Sequence, residues 1–234
     1  MRLKTPLQTN TGLAGFQPDV LLNLLLVLIF MAFPQWVLAR QSGLSTEELA
    51  RLKAGEILLQ TIHEEKSGAA ARVTALLYTS SSEVWNILGY CKYEMIYVKG
   101  LKLCEILAGN QFEMTVHHQL RNSWYTPTLD FVFAASRDST GTGSATLVSG
   151  DLKVLEGQWN FYPLEVENGV IVVHEIRIES RFPAPKWLIR RSFKNDLPDM
   201  MACIRGLAAA SGTDRLIQGD LKRCPGDVAS LESP

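Results

Sequence analysis

Few residues in this chain could do chemistry, and its histidines come first. His117 and His118 are neighbours, and His174 lies far downstream. Adjacent residues of a strand face opposite sides, so His117 and His118 cannot share a site, and His118 is the one in phase with the apolar Met114 and Val116. Together His118 and His174 could serve as general acid and base, or orient a ligand by hydrogen bonds. No acidic residue holds a matching position to orient either ring, and the plainer reading is a pair of satisfied inward histidines. Ser149 and Ser80 to Ser82 fall at turns and caps, and no Gly-x-Ser-x-Gly elbow offers a nucleophile. The four cysteines, Cys91, Cys104, Cys203 and Cys224, show neither CxxC nor histidine-rich spacing, so no metal is expected. Thr140-Gly141-Thr142-Gly143 has no helix after it to cradle a phosphate, and no cofactor is implied.

Composition narrows the partners. The 234 residues carry 23 Lys+Arg against 24 Asp+Glu and are 47% hydrophobic, which fits one or two globular domains with a real core. Near-neutral charge without a basic stripe excludes a nucleic-acid binder, whose affinity depends on clustered cations displacing phosphate counterions.

The elements that position these residues begin after a leader. Val20 to Ala39 is the long uncharged apolar run, with Arg2 and Lys4 before it and Arg40 after it. Residues 1–39 therefore read as a signal peptide cleaved after Ala39, with an uncleaved membrane anchor as the alternative. Either way the remainder is expected to be exported, to a bacterial periplasm or the extracellular space, or held at the membrane. Removing the leader takes away two bases and one acid and leaves the exported part mildly acidic. An oxidising compartment permits disulfides. Cys91 with Cys104 and Cys203 with Cys224 are nearest in sequence, but four cysteines allow three pairings and buried free thiols would read alike.

Residues 40–67 read as a helical extension. Leu44 to His63 opens with Ser45 and Glu48 at capping-box spacing, and Gly68 is its far limit. From Ala70 the periodicity changes to two-residue alternation in a first strand, with Val73, Ala75 and Leu77 on one side. Ser80 to Glu83 then caps a short helix through Leu88, and a second runs from Tyr90 to Val98. Six strands follow, Leu101–Leu107, Gln111–Asn122, Thr128–Ser136, Ala145–Ser149, Leu152–Pro163 and Gly169–Ser180. Pro185 to Ala210 closes the domain as a long helix carrying Pro198, which is expected to kink it. The domain spans 68–212, and 213–234 reads as a flexible tail.

This order of strand, two short helices, six strands and long helix resembles the START-like superfamily, also described as Bet v 1-like or polyketide cyclase/dehydratase-like. The stretches SSSEVWNILGYCKYEMIYVKGLKLCEIL, LVSGDLKVLEGQWNFYPL and FPAPKWLIRRSFKNDLPDMMACIRGLA carry the resemblance. They are most similar to the branch named for coenzyme-Q-binding START proteins. The resemblance implies an α+β helix-grip fold, a curved seven-stranded antiparallel sheet around the C-terminal helix. It also implies a cavity between the two.

Strand and helix phase propose the lining of such a cavity. Met114, Val116 and His118 would come from one strand, Leu129, Phe131 and Phe133 from the next, then Trp159 and Phe161, then His174 and Ile176. The long helix would present Phe193, Leu197, Met200 and Met201. Such walls suit a lipid, an isoprenoid quinone or a flat polycyclic molecule, because burying apolar area yields about 25 cal/mol per Å². Trp187, Arg190, Arg191 and Lys194 on the same helix form either a solvated face or a contact with anionic lipid headgroups.

Three functions compete. The first is binding of a hydrophobic small molecule for carriage or sequestration, without catalysis. The second is a cyclase or dehydratase in which His118 or His174 moves protons, and the third is a structural or protein-binding module with a filled core.

Overall fold

The computed structural model describes residues 43–62, 68–121, 127–138, 141–164, 168–181 and 186–210, together with Cys224. The leader expected over 1–39 and nearly all of the tail expected from 213 lie outside the described residues.

Helix α1, Thr46–Lys53, is started by the capping box its sequence announces. Ser45 Oγ accepts from the Glu48 backbone N–H at 3.1 Å, and the Glu48 carboxylate accepts from the Ser45 N–H at 2.8 Å. The helix is shorter than the expected Leu44 to His63. Gly55, at φ +89°, turns the chain in a conformation that side chains resist, and the β-compatible LLQTI then forms strand β1, Leu58–Ile62. The extension is therefore a helix and a strand, because a sheet edge offered hydrogen-bond partners that an isolated helix end lacks.

Strand β2, Ala69–Leu77, is followed by α2, Ser81–Leu88, and α3, Cys91–Tyr97. Ser80 Oγ caps α2 by accepting from the Glu83 N–H at 3.2 Å. Then come β3, Leu101–Gly109; β4, Glu113–Leu120; β5, Leu129–Arg137; β6, Gly143–Gly150; β7, Leu152–Leu164; and β8, Gly169–Ser180. Helix α4, Lys186–Ala210, runs through Pro198. The strands form one sheet in the order β1-β2-β8-β7-β6-β5-β4-β3, with antiparallel neighbours throughout. It has eight strands rather than the expected seven, the addition being β1 on the edge.

Register shifts in the β3/β4, β5/β6 and β7/β8 pairings bend the sheet, since an extra residue on one strand increases local twist. Gly150 is required at one of these points. At φ +117°, a Cβ there would stand 2.3 Å from the Asp130 carbonyl oxygen.

The core divides in two. Ala71, Val73, Ala75 and Leu77 of β2 pack with Val84, Ile87 and Leu88 of α2, Val170 and Val172 of β8, and Leu197, Met201, Ile204 and Leu207 of α4. A second cluster, Val116, Phe131, Phe133, Leu152 and Leu155, lies on β4, β5 and β7. Among the strands, α4 rests chiefly on β2, so it leaves most of the apolar face of β4 to β7 uncovered.

Disulfides join Cys91 to Cys104 and Cys203 to Cys224. Their sequence separations of 13 and 21 residues make each worth roughly 3 kcal/mol by loop-closure entropy. The first ties α3 to β3, and the second holds Cys224 against α4.

Gly143 marks a close approach between α2 and β6. A Cβ there would come within 2.0 Å of the Trp85 ring, which is itself fixed by its indole N–H donating to the Gly141 carbonyl at 3.2 Å. Gly143→Ala is expected to cost about 1–3 kcal/mol in urea unfolding through overpacking. Unchanged stability would show that Trp85 does not pack on this strand.

Candidate functional site

A cavity of about 310 Å³ lies between the inner face of the sheet and helices α2 to α4. Its walls are mostly apolar: Leu88, Val98, Met114, Val116, Phe131, Phe133, Leu155, Trp159, Ile176 and Ile178 among them. The lining reaches exposed residues at Gln111, Phe112 and Ser136, which places an opening beside the β3/β4 and β5/β6 hairpins. Arg137 stands over both Phe112 and Trp85 there, 5.4 and 5.5 Å from the ring centroids. Lys99 and Asp196, also on the wall, pair at 2.9 Å and tether the chain before β3 to α4. Hydrogen bonding to Asp196 is the main cause that raises the Lys99 ammonium pKa.

Most of the expected lining is present. Met114, Val116, His118, Phe131, Phe133, Trp159, His174, Ile176, Phe193, Leu197 and Met200 all reach the cavity. Leu129, Phe161 and Met201 do not. Leu129 has the right phase but sits at the start of β5, opposite Leu120, packed beside the second core cluster. Phe161 lies farther along β7 and packs on Trp85 with centroids 4.8 Å apart. Met201 follows Met200 by about 100° around the helix and is wholly buried in the α4/β2 core. Arg190, Arg191 and Lys194 line a separate hollow beside Thr61, Ile62, Ala69 and Ala70, and the side chain of Trp187 lies outside the described residues.

His118 and His174 are both buried, in different settings. His118 packs edge-on against Phe133 at 4.8 Å and Phe131 at 5.7 Å. Its Nε2 is 2.7 Å from Glu94 Oε2, so the acidic partner judged missing from the sequence is present, supplied by α3. The approach is close but off the N–H direction, which leaves Nε2 without an aligned hydrogen bond. Tyr97, one helical turn beyond Glu94, is also buried. Burial, followed by the charge of Glu94 and hydrogen bonding to it, keeps the phenol protonated well above its usual range. Glu94 thus joins His118 and Tyr97 in a polar cluster in the wall of an apolar chamber. The helix offered one signal: Cys91, Glu94 and Tyr97 recur every three residues and share a face.

Such a cluster can hydrogen-bond a carbonyl or hydroxyl, or move a proton at His118. The donor atoms of Glu94, Cys104 and His118 lie within 4.8 Å of one another, but the Cys104 sulfur is bonded to Cys91 and so is no thiolate ligand in this state. His117, on the outer face, pairs instead with Asp130 at 2.9 Å.

His174 stacks on Trp159, its cross-strand partner, with centroids 3.8 Å apart. Its Nδ1 lies 3.1 Å from the Gln158 carbonyl, which only accepts, so Nδ1 carries the proton and Nε2 is the free lone pair. Burial pulls its pKa down from 6.5 to about 4, partly opposed by that carbonyl. The sign of the pH dependence follows. Above 6.5 both folded and unfolded chains hold this ring neutral, and between there and about 4 only the unfolded chain takes up the proton. Stability therefore declines as pH falls through this window, by up to about 3 kcal/mol. Urea unfolding should show a correspondingly smaller acid loss for His174→Phe, which keeps the stack and removes the titration. Parallel pH profiles for the two proteins would contradict this assignment.

A family model described as polyketide cyclase / dehydrase and lipid transport matches residues 82–205, more than half of the chain. No curated protein matches it by sequence. Among solved structures, the STAR-related lipid transfer protein of Xanthomonas axonopodis is 16% identical, with a TM-score of 0.58 over 65% of this chain and 93% of that one. Human StAR-related lipid transfer protein 5 is 13% identical, with a TM-score of 0.52 over 76% and 99%. The Zhui aromatase/cyclase of Streptomyces sp. R1128 is 12% identical, with a TM-score of 0.51 over 66% and 96%. At these identities the structural likeness establishes the helix-grip architecture, and the family match over more than half of the chain shows that it belongs to the polyketide cyclase / dehydrase and lipid transport family.

Proposed function

We propose that the protein binds a hydrophobic small molecule with one polar end, a lipid or an isoprenoid quinone of the coenzyme Q kind, for carriage or sequestration. The observation that carries this reading is the apolar cavity of about 310 Å³ with Glu94, Tyr97 and His118 grouped in its wall. Its size is at the low end of ligand pockets, roughly 300–1,000 Å³. That suits a ring headgroup and the first part of its chain, with the remainder leaving by the opening near Phe112. Burying polar groups in an apolar wall is costly unless they find partners, and a ligand's carbonyl or hydroxyl would be one. A void of this size favours the binding reading over a filled structural module. Work outside the cytoplasm is part of the proposal, supported by the pairing of all four cysteines. So is contact with a membrane surface, supported by the exposed Arg190, Arg191 and Lys194 on α4.

The cyclase or dehydratase reading is favoured by one observation, the Glu94 carboxylate beside His118, which gives that ring the orienting acid a general base needs. His118→Gln separates the two: an enzyme loses turnover and keeps uptake, whereas a binder loses only affinity for the polar end.

Two ligands test the binding reading. Pyrene should enter by apolar burial alone, and a decyl-substituted hydroquinone should also use the polar cluster, its hydroxyl donating to the Glu94 carboxylate. Ala135→Phe, which fills the cavity from β5, is expected to weaken uptake of both by more than about tenfold. Glu94→Gln is expected to weaken only the hydroquinone, by about tenfold, the worth of its hydroxyl donating to a charged carboxylate. Fluorescence titration reads both constants. Equal binding by wild type and Ala135→Phe would overturn the proposal.

A further inference from the structure

The polar cluster adjoins the Cys91–Cys104 disulfide, which joins the first residue of α3 to the middle of β3. Cys104 Sγ is 3.4 Å from Glu94 Oε2. A disulfide sulfur carries no proton, so this is a contact and not a hydrogen bond. The donor atoms of Cys104, Glu94 and His118 all fall within 4.8 Å of one another, and the Cys91 sulfur is bonded to that of Cys104. His118 is 7% exposed, and its Nε2 has no aligned hydrogen-bond partner. One sulfur, one imidazole nitrogen and one carboxylate therefore converge from a helix and two strands, and the Cys91 sulfur is bonded to the first of them.

We propose that reduction of Cys91–Cys104 converts this corner into a tetrahedral site for a zinc-class dication, held by the thiolates of Cys91 and Cys104, His118 Nε2 and the Glu94 carboxylate. The electrons balance as a thiol–disulfide exchange. A dithiol gives two electrons and two protons to the Cys91–Cys104 bond and is itself oxidised to a disulfide. Metal binding then releases the two thiol protons to solvent. Bonds of about 2.3 Å to sulfur and 2.0–2.2 Å to nitrogen and oxygen put tetrahedral donors roughly 3.3–3.8 Å apart. His118 and Glu94 need only open by under about 1 Å to reach that spacing, and the sulfurs separate once their bond is cut. Two thiolates and an imidazole favour zinc over magnesium or calcium. The ion would take His118 and Glu94 away from the cavity, so redox state would decide whether a ligand's polar end finds them. That consequence rests on the proposed ligand reading, whereas the metal site does not.

Cobalt(II) is the probe, since tetrahedral thiolate ligation gives it strong visible bands and a near-ultraviolet charge-transfer band. The full chain is titrated before and after anaerobic treatment with a phosphine, which supplies two electrons and ends as its oxide with oxygen from water. The expected result is one cobalt per reduced chain, two protons released per ion, and none bound by the oxidised chain. His118→Ala and Glu94→Gln should each alter the visible bands, and His118→Ala should weaken affinity by more than about tenfold. Near-ultraviolet circular dichroism follows the fold in parallel. The proposal is overturned if the folded, reduced chain binds no cobalt. It is equally overturned if both variants bind with unchanged spectrum and affinity, which would assign the ion to cysteines alone. Loss of the folded spectrum on reduction, unrestored by metal, also overturns it, because the site needs α3, β3 and β4 in place.

Discussion

Where α4 rests decides what the rest of this molecule can be. Leu197, Met201, Ile204 and Leu207 interlock with β2, α2 and β8 around the fully buried Val73, Ala75 and Leu77, and Cys203 is bonded to Cys224 behind them. A helix fixed there is committed to one end of an eight-stranded sheet. Its strand contacts are chiefly with β2, so Val116, Phe131, Phe133 and Leu155 line a gap rather than pack on its surface. Interiors normally close such gaps, because every unfilled contact forfeits dispersion energy. Here α2 and α3 are interposed between β2 and β3 and hold the space open from the side.

The same two helices bring the chamber its polarity. Trp85 of α2 is locked by Gly141, Gly143 and Phe161, and α3 is locked by its disulfide to β3. Between those anchors α3 presents Glu94 and Tyr97 to His118 on β4. Burying a carboxylate against an imidazole brings little net stability, since desolvation offsets most of the attraction. A cluster like this adds little as a fastener, which suits the proposed role of meeting a ligand's polar end. His174 is the contrasting case. Stacked on Trp159 and donating to Gln158, it is held neutral and completes the wall.

The sequence made the architecture legible because its signals were local: the Ser45–Glu48 capping box, the Ser80 cap, the alternation through Met114, Val116 and His118, and the spacing of α4. It misled where a distant partner decided the outcome. Residues 58–62 read as helix until β2 is seen to offer them an edge. Leu129 and Phe161 have cavity phase, but phase says which face a side chain takes and not how far along the strand the hollow extends. Met200 and Met201 are indistinguishable in composition and differ by a fraction of a helical turn. Glu94 was missed because an acid on a short helix reads as solvated, and its partner is on a strand two elements away.

The central claim is that apolar walls enclose usable space with a polar end. A crystal structure of the protein purified from its own host tests it most directly. The account predicts continuous density between α4 and strands β4 to β8, with its polar end in hydrogen-bond reach of His118, Glu94 or Tyr97. Phe133, Trp159 and Met200 collapsed together with no room between them would contradict it.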